Sequence, residues 1–155
     1  MAAMSDFLEN KLLDWLFRGQ AIGITGASAA AGTGPANLYI GLFTTNPTDG
    51  TSGTEVTGNA YARVAVASSL ANWAGTQAAL STVASSGTSG TTSNNGVLSF
   101  PTPSASWGTV NGMAIFDAAS GGNMLIWSGL TQSKLINSGD SVTFPASSLS
   151  FQIDN

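Results

Sequence analysis

"VNGMAIFDAASGGNMLIWSGL", residues 110–130, sets two short apolar runs on either side of a loop of turn formers. Val110 to Phe116 and Met124 to Gly129 are rich in large apolar side chains. Asp117, Ser120, Gly121, Gly122 and Asn123 between them are the residue types that turns favour. Runs this short, joined by such a loop, predict an antiparallel β-hairpin.

The same grammar extends in both directions. Upstream, "NLYIGLFTT" (37–45) stops at "NPTDG" (46–50), and "YARVAVASS" (61–69) and "GVLSFPT" (96–102) follow. Downstream come "SVTF" (141–144) and "SLSFQID" (148–154). In the last of these, Leu149, Phe151 and Ile153 alternate with Ser150, Gln152 and Asp154, the period of a strand with one covered face. Many short strands without β-α-β alternation predict a mainly β chain, an antiparallel sandwich or jelly-roll-like domain over 38–155. The weakly apolar stretch 74–96 is expected to be a long loop or extended arm.

Residues 1–37 differ, and read as an N-terminal helix and a connector arm. "SDFLENKLLDWLFR" (5–18) carries helix signals at both ends: Ser5 as N-cap, Asp6 and Glu9 in the first turn, Arg18 in the last, and Gly19 as a stop. At 100° per residue, Leu8, Leu12, Trp15 and Leu16 share a face. Lys11, Asp14 and Arg18 are expected on the opposite, solvated side, with Asp14 and Arg18 paired at i,i+4. Phe7 and Phe17 fall outside the apolar stripe. Two readings stay open: the stripe covers the protein's own sheet, or Phe7, Leu8, Leu12, Trp15, Leu16 and Phe17 dock on another subunit. The Gly/Ala/Ser-rich stretch 19–37 reads as a connector; it lacks the Lys of a phosphate-binding loop, since Pro35 follows Gly34.

Composition limits the chemistry. Charged residues are 8% of the chain and the net charge is −4. Lys11, Arg18, Arg63 and Lys134 are too few and too scattered to form the basic stripe that nucleic acid or an anionic membrane attracts. With no Cys and no His, disulfides, Cys/His metal sites and His-dependent triads are excluded. Neither a membrane-spanning run nor a signal peptide is read, so the expected setting is synthesis in a cytoplasm and residence in a larger particle.

What remains for catalysis is carboxylates. Asp49 and Glu55 are the pair a glycosidase would use, but Asp49 precedes Gly50 in a turn, where Asp commonly serves geometry. Arg63, the one charge in its strand, is expected either to pair with Glu55 across the intervening turn or to reach a neighbouring subunit. Trp73, Trp107, Trp127 and Tyr61 offer a sugar-stacking platform or core packing, with Trp127 expected inside. No cofactor and no catalytic residue are assigned.

Taken in order, "SDFLENKLLDWLFRG", "LYIGLFTTNPTDG", "YARV", "WGTV", "IFDAASGGN" and "INSGD" resemble a group of small tailed-bacteriophage proteins labelled tail fibre proteins. The resemblance runs nearly the whole chain and implies a virion structural protein; it carries over no catalytic residues, and with the chemistry above the expected role is non-enzymatic. The chain is short, with no coiled-coil shaft, β-helix repeat or separate tip. The reading placed first is therefore an oligomeric capsid decoration, or cement, protein, with a homotrimer favoured. The alternative is a tail or tail-fibre component in host attachment; a carboxylate-dependent carbohydrate enzyme stands far behind. Partners expected are further copies of the chain, the major capsid or tail proteins, and a host surface glycan.

Overall fold

The structure is a computed structural model that describes residues 4–23 and 34–153. Its elements in chain order are α1 (Asp6–Arg18), β1 (Asn37–Thr45), β2 (Thr54–Glu55), β3 (Val64–Ala67), β4 (Thr91–Ser93), β5 (Leu98–Ser99), β6 (Gly108–Phe116), β7 (Met124–Ile136), β8 (Thr143–Phe144) and β9 (Ser150–Gln152). The mainly β class, the antiparallel pairing and the helix ahead of the strands agree with the sequence reading. The strands group as one five-stranded sheet and two two-stranded pairs, a grouping that does not establish a jelly roll.

By packing, the chain divides into two units. One is Met1–Ala36, Ala67–Leu98 and Phe144–Asn155; the other is Asn37–Val66 and Ser99–Thr143. The sequence reading cuts the chain near residue 37 and sets the helix apart as an arm. The packing instead groups α1 with two later stretches, because Phe17 and Arg18 close on residues from them.

In the first unit, Ser5 caps α1 by accepting from the Leu8 N–H at 3.4 Å, and Gly19, in the left-handed conformation, ends it. Phe17 is fully buried, 4.9 Å edge-on from the Trp73 ring and 5.3 Å from the Phe151 ring stacked on it. Phe151 belongs to β9, which pairs with β4 by setting Thr92 against it. β4 lies inside 74–96, so part of that stretch is a paired strand. Asn94 joins its neighbours: its amide donates to the Pro145 and Gly96 carbonyls at 2.8 and 2.7 Å, and its oxygen accepts from the Leu149 N–H at 2.9 Å. Asp154, expected at the end of the last strand, and residues 24–33 of the connector lie outside the described residues.

In the second unit, the sheet order is β2-β1-β6-β7, with β3 also on β1. The predicted hairpin is β6–β7. Its loop closes when Asp117 accepts from both the backbone N–H and the side-chain amide of Asn123, each at 2.7 Å. Those bonds hold the Asp117 carboxyl below its ordinary pKa. Gly122 is required there: its φ is +70°, and a Cβ would stand 2.4 Å from Oδ1 of Asp117.

Burial explains the apolar pattern of the strands. In β1, Ile40 and Leu42 are buried on one face and Phe43 on the other; in β6, Met113 and Ile115 oppose Ala114 and Phe116 in the same way. A strand covered on both faces reads as a continuous apolar run. β7 is different. It is the sheet's edge and most of it is exposed. Its register with β6 slips twice, between Ile115 and Phe116 and between Val110 and Gly112. Such bulges, with the exposed Lys134, keep an edge from pairing with stray strands.

Candidate functional site

The helix buries the side that its sequence marks as polar. Its buried residues are Glu9, Leu13, Asp14, Phe17 and Arg18. The covered face is thus turned by one residue, about 100°, from the stripe the periodicity predicts. Arg18, expected in solvent, is 0% exposed. It is held by an ion pair to Asp14, by Nε donating to the Trp73 carbonyl at 3.0 Å, by Nη1 donating to Ser85 Oγ at 3.0 Å, and by Nη2 donating to the Val83 carbonyl. Asp14 also accepts from the Ser85 N–H at 2.9 Å. A buried ion pair is tolerable only when its remaining donors and acceptors are met, and here the loop after Trp73 meets them.

The apolar stripe is consequently left partly open. Phe7 is 57% exposed and Met4 37%, while Leu8, Leu12, Trp15 and Leu16 are half-buried. Of the six residues singled out for docking, five lie on this open side or at its edge. Phe17 does not: it is core, wedged between Trp73 and Phe151, and leaves the set.

Glu55 and Arg63 form a bidentate pair, Nε to Oε1 at 2.8 Å and Nη2 to Oε2 at 2.7 Å. Arg63 further donates to the carbonyls of Ala118 and Gly121, both at 2.8 Å, and its guanidinium lies 3.4 Å over the Phe116 ring. Tyr61 donates to Glu55 at 2.9 Å and accepts from the Leu42 N–H at 2.8 Å; burial, above all, raises its hydroxyl pKa. Every polar atom of this cluster is committed to tying β1, β2 and the 117–123 loop together. Gly41 gives it room, since a Cβ there would stand 2.9 Å from Glu55 Oε1. The cluster is a brace.

Asp49 behaves otherwise. The turn that holds it is closed by Thr48 and Thr51, whose backbones exchange bonds of 2.9 and 3.2 Å and whose hydroxyls meet at 2.9 Å. Among the described residues the exposed Asp49 carboxylate makes no hydrogen bond or ion pair. It lines an open depression of about 450 Å³ with Met124, Leu125, Ile126 and Trp127. Asp49 and Glu55 therefore serve different places. Trp127, expected inside, is 37% exposed because β7 is an edge, whereas Trp73 and Trp107 are 0% and 5% exposed. Tyr61 packs against Trp107 at 5.3 Å and Phe100 at 6.4 Å. Of the four aromatics considered for sugar stacking, Trp127 alone offers substantial surface with an acid beside it. Leu125, two residues before Trp127 on β7, completes that surface.

A second depression, of about 430 Å³, lies in the other unit and is lined by small and uncharged polar side chains, among them Thr76, Gln77, Ser89, Thr91 and Ser150, with no aromatic among the described residues. Among the described residues no three Asp or Glu side chains gather as a metal-binding set, and no helix is long and apolar enough to cross a membrane.

A family model for the Podophage GP4 fiber I protein gp80 matches residues 3–152. No match was found among the curated proteins with which the chain was compared. The match spans α1, the nine strands of the described residues and the linings of both depressions. The chain belongs to the Podophage GP4 fiber I protein gp80 family, a phage fibre-type protein.

Proposed function

We propose that this protein is a non-enzymatic component of the virion's fibres, which assembles with further copies of itself through the open side of α1 and takes part in attachment to the host. The observation that carries the reading is the reversal of the helix. A chain with so few charges places Glu9, Asp14 and Arg18 in its interior and leaves Phe7 exposed and Leu8, Leu12 and Trp15 half-buried. Apolar surface kept outward while charge is buried suits a subunit contact. The family description favours a fibre over a head decoration protein, which is the second reading. A sparsely charged surface of Ser, Thr and Gly would serve a cement protein equally.

A reading without turnover is supported by how the carboxylates are placed: among the described residues Asp49 is the one acid lining its depression, and the acids elsewhere that a pair would need are engaged. Glu55 is spent on Arg63 and Tyr61, Asp14 on Arg18 and Ser85, and Asp117 on Asn123. A trimer is the favoured assembly.

Substituting Phe7→Ser together with Leu12→Ser tests the contact without disturbing the core that Leu13 and Phe17 form. Light scattering on purified protein is expected to show an oligomer for the native chain and loss of mass for the double variant. An unchanged mass would remove α1 from the assembly. Gold-labelled antibody on intact particles separates the two readings: label on fibres in few copies supports the first, and label across the head supports cement.

A further inference from the structure

We propose that the depression formed by Trp127, Leu125 and Asp49 is a pyranose-binding subsite. This rests on the attachment reading above and gives it a place and a ligand class. The depression brings together two groups that a sugar ring needs. A pyranose has an apolar face of C–H bonds, which stacks on an aromatic ring, and a rim of hydroxyls, which donate to a carboxylate acceptor. Trp127 and Leu125 are each 37% exposed and supply the apolar floor, completed by Met124 and Ile126. Asp49 supplies the acceptor.

Three features separate this place from an incidental surface. The Asp49 carboxylate is not used by its own turn, which Thr48 and Thr51 close without it. The other acids of the same unit, Glu55, Asp117 and Asp140, are each engaged in side-chain hydrogen bonds. In addition, β7 carries a bulge at this point: Ile115 stands opposite Ile126 and Phe116 opposite Met124, so Leu125 has no partner on β6. Bulges re-aim side chains: this one sets Met124, opposite Phe116, on the same face as Trp127, opposite Ala114, and both line the depression with Leu125. A single aromatic is too little for the cage that a quaternary ammonium requires. The volume of about 450 Å³ lies in the range of small-ligand sites, about 300–1,000 Å³.

One open platform binds a single sugar weakly, with a Kd of order millimolar, and copies on an assembled fibre raise the effective strength by about 10²–10⁴ through avidity. The register of β7 at 126–129 is regular and the turn at 48–51 is closed, so the two sides of the subsite stand formed before a ligand arrives.

The test uses the full chain against a printed panel of hexopyranosides, 6-deoxyhexopyranosides and N-acetylhexosaminides, and against lipopolysaccharide purified from cells that the native protein labels. Trp127→Ala and Asp49→Asn are each expected to weaken binding at least about tenfold. Leu135→Ser, also exposed but outside the depression, is expected to leave it unchanged. Asp49→Asn changes an exposed turn position and carries the test alone if Trp127→Ala does not fold. Native-like binding by both variants overturns the subsite while leaving attachment intact. Failure of the native chain to bind any glycan of the panel, while still labelling cells, also overturns it. Failure of the native chain to label cells counts against the attachment reading itself.

Discussion

Replacing Arg18 by methionine is the sharpest probe of the reversed helix. The substitution keeps much of the side chain's volume and removes only the charge and its donors. In the native protein Arg18 is 0% exposed and Asp14 4%. The Arg18→Met variant would leave the Asp14 carboxylate buried without its cation, and the carbonyls of Trp73 and Val83 without their side-chain donor. Breaking one partner of a buried pair costs about 3–5 kcal/mol. For a chain of this length each kcal/mol lowers Tm by about 2–4 °C, so a drop of about 6–20 °C is expected in thermal denaturation followed by circular dichroism. Adding Asp14→Asn removes the stranded charge and is expected to restore part of the loss, which a double-mutant cycle measures directly. Had the helix lain as its periodicity suggests, Arg18 would be an exposed i,i+4 partner and its loss would cost only about 0.3–0.5 kcal/mol. A fall in Tm of less than about 2 °C, the shift that such an exposed pair would give, would therefore refute the buried pair.

Two more outcomes are expected. Gly41→Ala should destabilise by about 1–3 kcal/mol in urea titration, because its methyl would intrude on Glu55, Phe116 and Tyr61; a neutral result would mean the brace is slack. The Asp117–Asn123 closure should be pH-dependent in one direction. Its folded pKa lies below the ordinary 3.8, so its contribution is present above that value and lost as pH falls through the lower folded one. The Asn123 amide resonance should shift in that acid window in the native chain and not in Asp117→Asn.

The parts of the fold legible in the sequence are those decided locally. Asp117 and the glycines of 121–122 announce the β6–β7 hairpin, and Ser5 and Gly19 mark the ends of α1, because turns and caps are made by the residues that form them. The face of the helix is not legible. Arg18 can be buried only because Ser85, Val83 and the Trp73 carbonyl, distant in sequence, satisfy it, and periodicity cannot see donors and acceptors that far away. The strand hidden in the Ser/Thr-rich 74–96 stretch escapes a sequence reading for a similar reason, since Thr91–Ser93 has no apolar pattern and is fixed by pairing with Phe151 and its neighbours. Trp127 is misplaced from sequence because "MLIWSGL" reads as interior, yet β7 is the last strand of its sheet. The Glu55–Arg63 pair can be named from sequence because the two residues flank a single turn. The use of Asp49 cannot, because the neighbours that give it a setting lie on β7.

The central claim is that the protein acts by docking, with the apolar side of α1 turned toward a neighbouring subunit. A cryo-electron microscopy reconstruction of the particle tests it most directly. The account predicts density for this chain in the fibres, with Phe7, Leu12 and Trp15 covered by another copy and Arg18 inside the fold. A reconstruction in which that side of α1 faces solvent, or in which the chain stands alone on the particle without touching another copy, would contradict it.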